Sequence, residues 1–399
     1  MRSLSQFYEF MDSIQTVRRM ITGYYLMQAH HGRHVESLKN ALAAMDDLPG
    51  DAVDKRLDAA GRPVTVTIDY ERSELEKDVY FLTHSDEEFL DYLSRLHDGF
   101  AEEVERTVQF LRSQETHSFV SDRDGTVNNY CGRYRSSHQS VWNAAYLTQF
   151  VRAVPAVPVL LTSAPLFEEG LLAMSAMPEH STNYAGSLGR EYCDREGNRG
   201  ALELSDEQER AIGKLNGRID ALLSRREFAT FALIGSGLQH KFGQTTVARQ
   251  DIHGSIPQEL SAEFLKAIRS TVRDIDPEGV MFGIEDTGKD VEIMLTVEGG
   301  RRFTKGDGLA YLDEALGLRL ADSPCLVCGD TSSDLPMVEK VVELGGRERT
   351  GAIFVTGDQE LRRKVAEAAD RSHFVSTPDA LVAALHRVAL ERDDAGGRQ

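Results

Sequence analysis

Residues 118–126 read Ser-Phe-Val-Ser-Asp-Arg-Asp-Gly-Thr, and the way Phe119–Val120 breaks into Asp122 and Asp124 decides the fold class. A short apolar run closed by polar residues reads as a buried strand. The same texture returns further along the chain. VPVLL runs into Thr162-Ser163, CLVC into Gly329-Asp330, GAIFV into Thr356-Gly357-Asp358, and HFV into Ser376-Thr377, each followed by a helical pattern. Apolar strands alternating with helices make a parallel sheet covered on both faces. The expected fold is therefore α/β, built on a doubly wound parallel-sheet core. In such sheets the functional site lies beyond the carboxyl ends of the strands, where those polar residues fall.

The flanking regions have other rhythms. Residues 201–298 combine a helix capped by Ser205 and Gln208, the stretches FATFALIG and QTTVARQD, a second helix near 261–273, and VMFGIED and DVEIMLT. Helices paired with alternating strands predict an α+β cap inserted into the larger domain. Residues 1–112 form an N-terminal, mainly helical region. Within it Ser85 and Glu88 have capping-box spacing, and Phe89, Leu93, Leu96, Phe100, Val104, Val108 and Leu111 predict one long amphipathic helix. The stretch 47–63, with Pro49, Gly50, Gly61 and Pro63, reads as a loop, and Val64–Tyr70 as a weak strand. The expected division is 1–112, a core from 113–200 and 299–392, the cap at 201–298, and a flexible tail at 393–399.

Composition sets outer limits. A chain of 399 residues suggests two or three domains. With 45 Lys plus Arg against 64 Asp plus Glu, a net charge of −19 argues against nucleic acid or an anionic membrane as partner. No apolar run is long enough to span a bilayer, the N-terminus has no signal-like apolar stretch, and four cysteines make no disulfide scaffold. A cytoplasmic location is the expectation.

The acids after the first strand carry the chemistry. Two carboxylates at i and i+2 on a tight loop can address one small volume. Asp122 would attack phosphorus, giving an aspartyl-phosphate, and Asp124 would act as general acid and then base. Thr162, at the end of the second run, can donate to a phosphoryl oxygen. Lys305, opening a helix in FTKGDGLAYL, can neutralise the nucleophile and the transferring group. Asp330 and Asp334, four apart after CLVC, suit Mg²⁺, which favours one or two carboxylates plus phosphate oxygens and water. Each feature alone has an ordinary reading as a turn, a surface lysine or a helix cap. Their order, with three of four at strand ends of one sheet, makes coincidence improbable.

This set resembles the haloacid dehalogenase superfamily of phosphatases, whose four motifs match SDRDGT, VLLTS, TKG and CGDTSSD. The resemblance spans about 116 to 390 and implies a HAD-like core. It implies Asp122 as nucleophile, Asp124 as acid and base, and Thr162 and Lys305 as phosphoryl stabilisers. It further implies Mg²⁺ held by Asp122, the Asp124 carbonyl and Asp330, with Asp334 in support. The insertion looks like the cap of the sugar-phosphatase branch. There NYAGSLGREYCDREGN and GLQHKFGQTTVAR are similar to trehalose-phosphatase segments. Gly189, Glu191, Lys241 and Arg249 fall on matching positions. Leu188, Gln239 and Val247 replace a His, a Glu and a His that face the sugar in that family. Gly189, Glu191, Gln239, Lys241 and Arg249 are the substrate-binding residues so implied.

The expected activity is a Mg²⁺-dependent phosphatase acting on a phosphorylated disaccharide or glycoside resembling trehalose 6-phosphate. The alternatives are glucosylglycerol phosphate or another glycosyl phosphate as substrate, or a sugar-phosphate-binding regulator without turnover. The N-terminal region reads as a contact for a homo-oligomer or for docking a glycosyltransferase. Three other features read as structural. Cys325 and Cys328 point to opposite faces of a strand, Gly235-Ser236-Gly237 reads as a turn, and His30, His31 and His34 lack a completing ligand.

Overall fold

A computed structural model describes residues 1–30, 32–297 and 300–396. His31 and the expected cap boundary at 298–299 therefore lie outside the described residues. The N-terminal region comprises α1 (Leu4–Leu26), α2 (Gly32–Asp46), the hairpin β1 (Asp54–Ala59) and β2 (Arg62–Thr67), α3 (Asp69–Thr83), α4 (Asp86–Leu96) and α5 (Phe100–Arg112). The hairpin corrects the loop expected over 47–63. Leu57 and Ala59 alternate inward from β1, and β2 pairs with it antiparallel. The single long helix expected after Ser85 is also two helices. Ser85 and Glu88 close the capping box, but the chain turns at Gly99 with φ +70° before α5 begins. Apart from the exposed Leu96 at the break, both halves keep their apolar stripes buried, which is why the periodicity runs through it.

The core continues with β3 (Ser118–Ser121), α6 (Val141–Ala153), β4 (Val157–Leu161), α7 (Leu171–Met174), β5 (Asn183–Gly186), β6 (Glu191–Cys193) and β7 (Arg199–Ala201). The cap contributes α8 (Asp206–Leu223), β8 (Leu238–Lys241), β9 (Gln244–Ala248), α9 (Gln258–Ile275), β10 (Phe282–Asp286) and β11 (Asp290–Leu295). The chain returns to the core through α10 (Lys305–Leu316), β12 (Cys325–Gly329), α11 (Leu335–Gly345), β13 (Thr350–Val355), α12 (Gln359–Ala368), β14 (Arg371–Val375) and α13 (Pro378–Gly396). The segment expected as a flexible tail is helical to Gly396, and 397–399 lie outside the described residues.

The large sheet has the order β14-β13-β12-β3-β4-β5-β6-β7, parallel from β14 to β5 and antiparallel at its β6 and β7 edge. Strand alternation sorts its side chains between two cores. Val120, Val159, Cys325 and Val327 pack with α10, α11 and α12. Phe119, Leu160, Leu326 and Cys328 face the side covered by α6, α13 and the N-terminal helices. The two strand cysteines thus lie on opposite faces, both buried and unbonded. The chain is an α/β protein: a mostly parallel central sheet, an α+β insertion between β7 and α10, and a mainly helical N-terminal region. No described helix is long and apolar enough to cross a membrane.

The cap sheet, β10-β11-β9-β8, is fully antiparallel. Its register sends Val247, Val291 and Ile293 to one face, where they pack with Leu215, Ile219, Phe264 and Ile268 of α8 and α9. The opposite face carries Gln239, Lys241, Gln244, Thr246 and Glu292, aligned by the same register. FATFALIG is not a strand. Its residues 229–232 form a short 3₁₀ turn that buries Phe231 against Phe264.

Candidate active site

β3, at the middle of the parallel sheet, ends at Ser121, and Asp122 follows it directly. β12 pairs with β3 on one side and ends at Gly329, so Asp330 emerges beside Asp122. β4 pairs on the other side, and Thr162 follows its last residue. Lys305 is the first residue of α10, whose capping box is formed by Thr304 and Asp307. Four separate segments thereby converge at one edge of the sheet.

The Lys305 ammonium donates to Asp122 Oδ1 at 2.6 Å and to Asp334 Oδ1 at 2.5 Å, with all three side chains buried. Asp334 Oδ2 accepts from the amides of Asp330 and Thr331, each at 3.0 Å. Asp122, Asp330 and Asp334 can each bring one oxygen within 4.8 Å of the others. A Cβ on Gly125, which sits at φ +86°, would lie 2.2 Å from Asp330 Oδ2. Only glycine therefore lets the Asp124 loop close over that carboxylate.

Three carboxylates share one lysine, so the cluster carries excess negative charge. Burial, opposed by Lys305 and reinforced by Asp334, pushes the Asp122 carboxyl up to about 7. Burial and then the Asp122 charge push Asp330 up to about 8. Burial also opposes ionisation of Asp334, but Lys305 and two backbone amides outweigh it and hold that carboxyl below its usual range. Burial acts against the charge of Lys305 as well, yet Asp122 and Asp334 overcome it and keep the ammonium protonated.

The cluster thus holds protons near neutrality, which a divalent cation bound there would displace. The raised folded values mean that this contribution to stability is full below the ordinary carboxyl value of 3.8 and is lost as pH rises through about 7 to 8. Mg²⁺ titrated calorimetrically at pH 7 in buffers of different ionisation enthalpy should release about one proton per site. The thermal shift it gives should grow between pH 6 and 8. Heats independent of the buffer would contradict this charge balance.

Asp124 lies at the same edge, but its carboxyl stands outside the three-carboxylate cluster. It accepts at Oδ1 from Arg123 and from Ser137, each at 2.6 Å. Thr162 is buried; its amide donates to Ala185 and its carbonyl accepts from Leu188 at 3.0 Å. Gly189, at φ +88°, touches the backbone of Gly308 on α10, where a Cβ would meet Leu188 O at 1.9 Å. Those two glycines allow the 187–189 turn to lie on the helix that carries Lys305. Glu191 has internal partners: Oε1 accepts from Leu166 N at 3.1 Å and from Ser187 Oγ at 2.6 Å. Ser187 Oγ in turn accepts from the cap's Phe242 N at 2.9 Å. Glu191 therefore braces the contact between core and cap.

On the cap, Gln239 and Lys241 share the polar face, with Gln239 Nε2 bonded to Ser236 O at 3.0 Å. Lys241 is buried, and burial pulls its ammonium below the ordinary value against the opposing pull of Glu292 and Asp290. It also senses the charge of Lys305, so the two ammonium groups lie near one another. The structure does not bring Arg249 to the same face. Arg249 follows β9 with the opposite parity and pairs with Asp286 at 2.7 Å and Ser261 Oγ at 2.8 Å, on the helix side of the cap sheet. Val247 shares that parity and is fully buried under α9, so it cannot stand where a sugar-facing residue would. Gln244, Thr246 and Glu292 occupy the polar face instead. Their two-residue alternation with Thr245, Val247, Val291 and Ile293 was the signal that marks them.

Two family models match the chain. Residues 119–381 match "Trehalose-6-phosphate phosphatase, C-terminal", and residues 3–100 match "Trehalose-6-phosphate phosphatase N-terminal helical bundle domain". A Caenorhabditis elegans alpha,alpha-trehalose-phosphate synthase (UDP-forming) 1 is 33% identical over 96% of this chain and 31% of its own length. The chain thus spans about a third of the length of that relative. A Caenorhabditis briggsae trehalose-phosphatase is 29% identical, with 98% of both chains covered. Among solved structures, a trehalose-6-phosphate phosphatase related protein aligns with a TM-score of 0.48 at 14% identity, covering 70% of this chain and 99% of its own.

Proposed function

The chain belongs to the trehalose-6-phosphate phosphatase family, and from that premise we propose that it hydrolyses trehalose 6-phosphate through an aspartyl-phosphate intermediate on Asp122. The observation that carries the reading is the buried contact of Lys305 with Asp122 and Asp334 at the carboxyl edge of the sheet, with Asp330 beside it. Hard carboxylate oxygens in that number suit Mg²⁺. Asp122, Asp330 and the Asp124 carbonyl would hold it, with Asp334 behind them, and it would offset charge on the transferring phosphoryl group.

The protein groups divide the rest of the work. Asp122 attacks phosphorus as the bond from phosphorus to the sugar oxygen breaks, and Lys305 neutralises charge on both partners. Asp124 gives a proton to the departing sugar oxygen. It then takes one from the water that attacks the aspartyl-phosphate, which releases inorganic phosphate and restores Asp122. Thr162 donates its hydroxyl to a phosphoryl oxygen. The polar cap face, with Lys241, Gln239, Gln244, Thr246 and Glu292, meets the sugar hydroxyls. Its Gln239, held by Ser236, favours testing a second reading with a neighbouring glycosyl phosphate.

Inorganic phosphate release with Mg²⁺ should be compared for trehalose 6-phosphate, glucosylglycerol phosphate, sucrose 6-phosphate and glucose 6-phosphate. A hydrogen-bonding pocket discriminates by large factors. Trehalose 6-phosphate should lead the others by about tenfold or more in kcat/KM, with EDTA abolishing release. Preference for another glycosyl phosphate would move the substrate assignment to it. No release from any would favour a sugar-phosphate-binding regulator.

A further inference from the structure

Asp124 is clamped at one oxygen only. Arg123 and Ser137 both donate to Oδ1, and no described residue bonds Oδ2. The clamp is itself built in. Arg123 is 4% exposed, and its Nη2 donates to Ser137 O at 2.5 Å while Nη1 also reaches Ser137 Oγ at 3.1 Å. Burial opposes its charge, but Asp124 holds it protonated. The position of the acid thus depends on where Ser137 stands.

Ser137 lies in a loop, 128–138, broken only by a 3₁₀ turn at 134–136; α1 touches it through Asp12 at His138, and most of its hydrogen bonds to the N-terminal region come from α3. Tyr70 of α3 accepts from Asn128 Nδ2 at 3.0 Å and donates to His138 O at 2.7 Å. Glu71 Oε1 accepts from Ser136 Oγ and pairs with Arg133. Glu74 Oε1 accepts from Asn129 Nδ2 at 2.8 Å, and the same amide reaches Asp379 Oδ1 at 2.6 Å. Lys77, one turn on, neutralises Glu74 and Asp379. Glu71, Glu74 and Lys77 are all at most 2% exposed. Burying charges is costly unless their partners are fixed, and apolar side chains would dock a helix at less cost. What the ionic face adds is a single register between α3 and the loop.

We propose that α3 is a positioning element of the hydrolytic site. Tyr70, Glu71 and Glu74 fix residues 128–138, and that segment fixes the Asp124 carboxyl through Ser137 and Arg123, leaving one oxygen free toward the leaving group. The inference rests on the reading of Asp124 as acid and base.

The test uses the full chain with Tyr70→Phe, and separately Ser137→Ala, which trims one hydroxyl at the clamp and keeps the fold safe. The second-order constant kcat/KM reports events through phosphoryl transfer. It needs a placed acid when the leaving group is a sugar alkoxide and none when it is p-nitrophenolate. Positioned acids contribute about 10²–10⁴-fold, so each variant should lose about tenfold or more on the sugar phosphate and less than about twofold on p-nitrophenyl phosphate. KM for the sugar phosphate should hold. An equal loss on both substrates, or no loss in either variant, would overturn the proposal while leaving the phosphatase reading intact. A wild-type protein that hydrolyses neither compound would overturn both.

Discussion

Asp122→Asn should give a folded protein whose phosphate release falls by about four orders of magnitude or more, the cost of deleting a covalent nucleophile. The fold should survive because the amide is nearly isosteric and its oxygen can keep the Lys305 bond now made at 2.6 Å. The substitution also removes one of three carboxylates crowded around a single ammonium. Burial already pushes the Asp122 carboxyl up to about 7. The metal-free variant should therefore melt no lower than the wild type at pH 8, where that carboxyl is ionised and unfavourable. The pair of measurements separates two roles. If Asp122 were a metal ligand without being the nucleophile, raising Mg²⁺ would recover activity in the variant. Release within about tenfold of wild type would sink the nucleophile assignment.

Most parts of this site that were legible in the sequence follow an apolar run with no intervening structure. Asp122, Thr162 and Asp330 stand one residue beyond β3, β4 and β12. Strand pairing alone brings such residues together, so spacing along the chain translates directly into proximity. Lys305 reads as opening a helix in FTKGDGLAYL, and α10 does begin there, with a capping box of Thr304 and Asp307 that only the structure shows. The cap was read less well because it is a second sheet whose faces are set by parity. Arg249 and Val247 carry the right residue spacing for a motif, yet β9 turns both toward α9. Lys241 and Gln239, two apart on β8, do share the open face. The first strand of the hairpin, 54–59, and the break at Gly99 were hidden for the opposite reason. Both depend on what the segment packs against, and tertiary burial overrides weak local patterns. The face of α3 was invisible on the same grounds. Glu71, Glu74, Lys77 and Asp78 look like a solvated stripe in sequence, and every one of them is buried.

That buried stripe makes Asp78→Ala the substitution with the largest expected effect on stability. Asp78 and Arg18 are both 0% exposed and pair at 2.7 Å, joining α3 to α1. The other carboxylate oxygen of Asp78 accepts from the amides of Val141 at 2.6 Å and Trp142 at 3.3 Å, so it caps α6 from another element. Removing one partner of a buried pair leaves an uncompensated charge and costs about 3–5 kcal/mol. Two Arg18 nitrogens already lack partners among the described residues, so none of those residues stands ready to receive that charge. Urea unfolding should report the loss. Arg18→Met combined with Asp78→Asn should recover most of it, because the asparagine oxygen still caps α6 and no charge is stranded. A loss below about 1 kcal/mol for Asp78→Ala would show that the pair is not desolvated as the structure has it. The pH dependence supplies a check. Burial outweighs Arg18 and raises the Asp78 carboxyl from 3.8 to about 6. Its contribution is therefore full below pH 4 and lost as pH rises through 6, a slope the asparagine variant should lack. The same contacts determine what removing residues 1–112 would do. It would uncap α6 and strip Glu71 from Arg133, Glu74 from Asn129 and Lys77 from Asp379, three buried partnerships at once. The remaining chain should then fail to give a soluble, cooperative fold, because the N-terminal helices complete the core that carries the site.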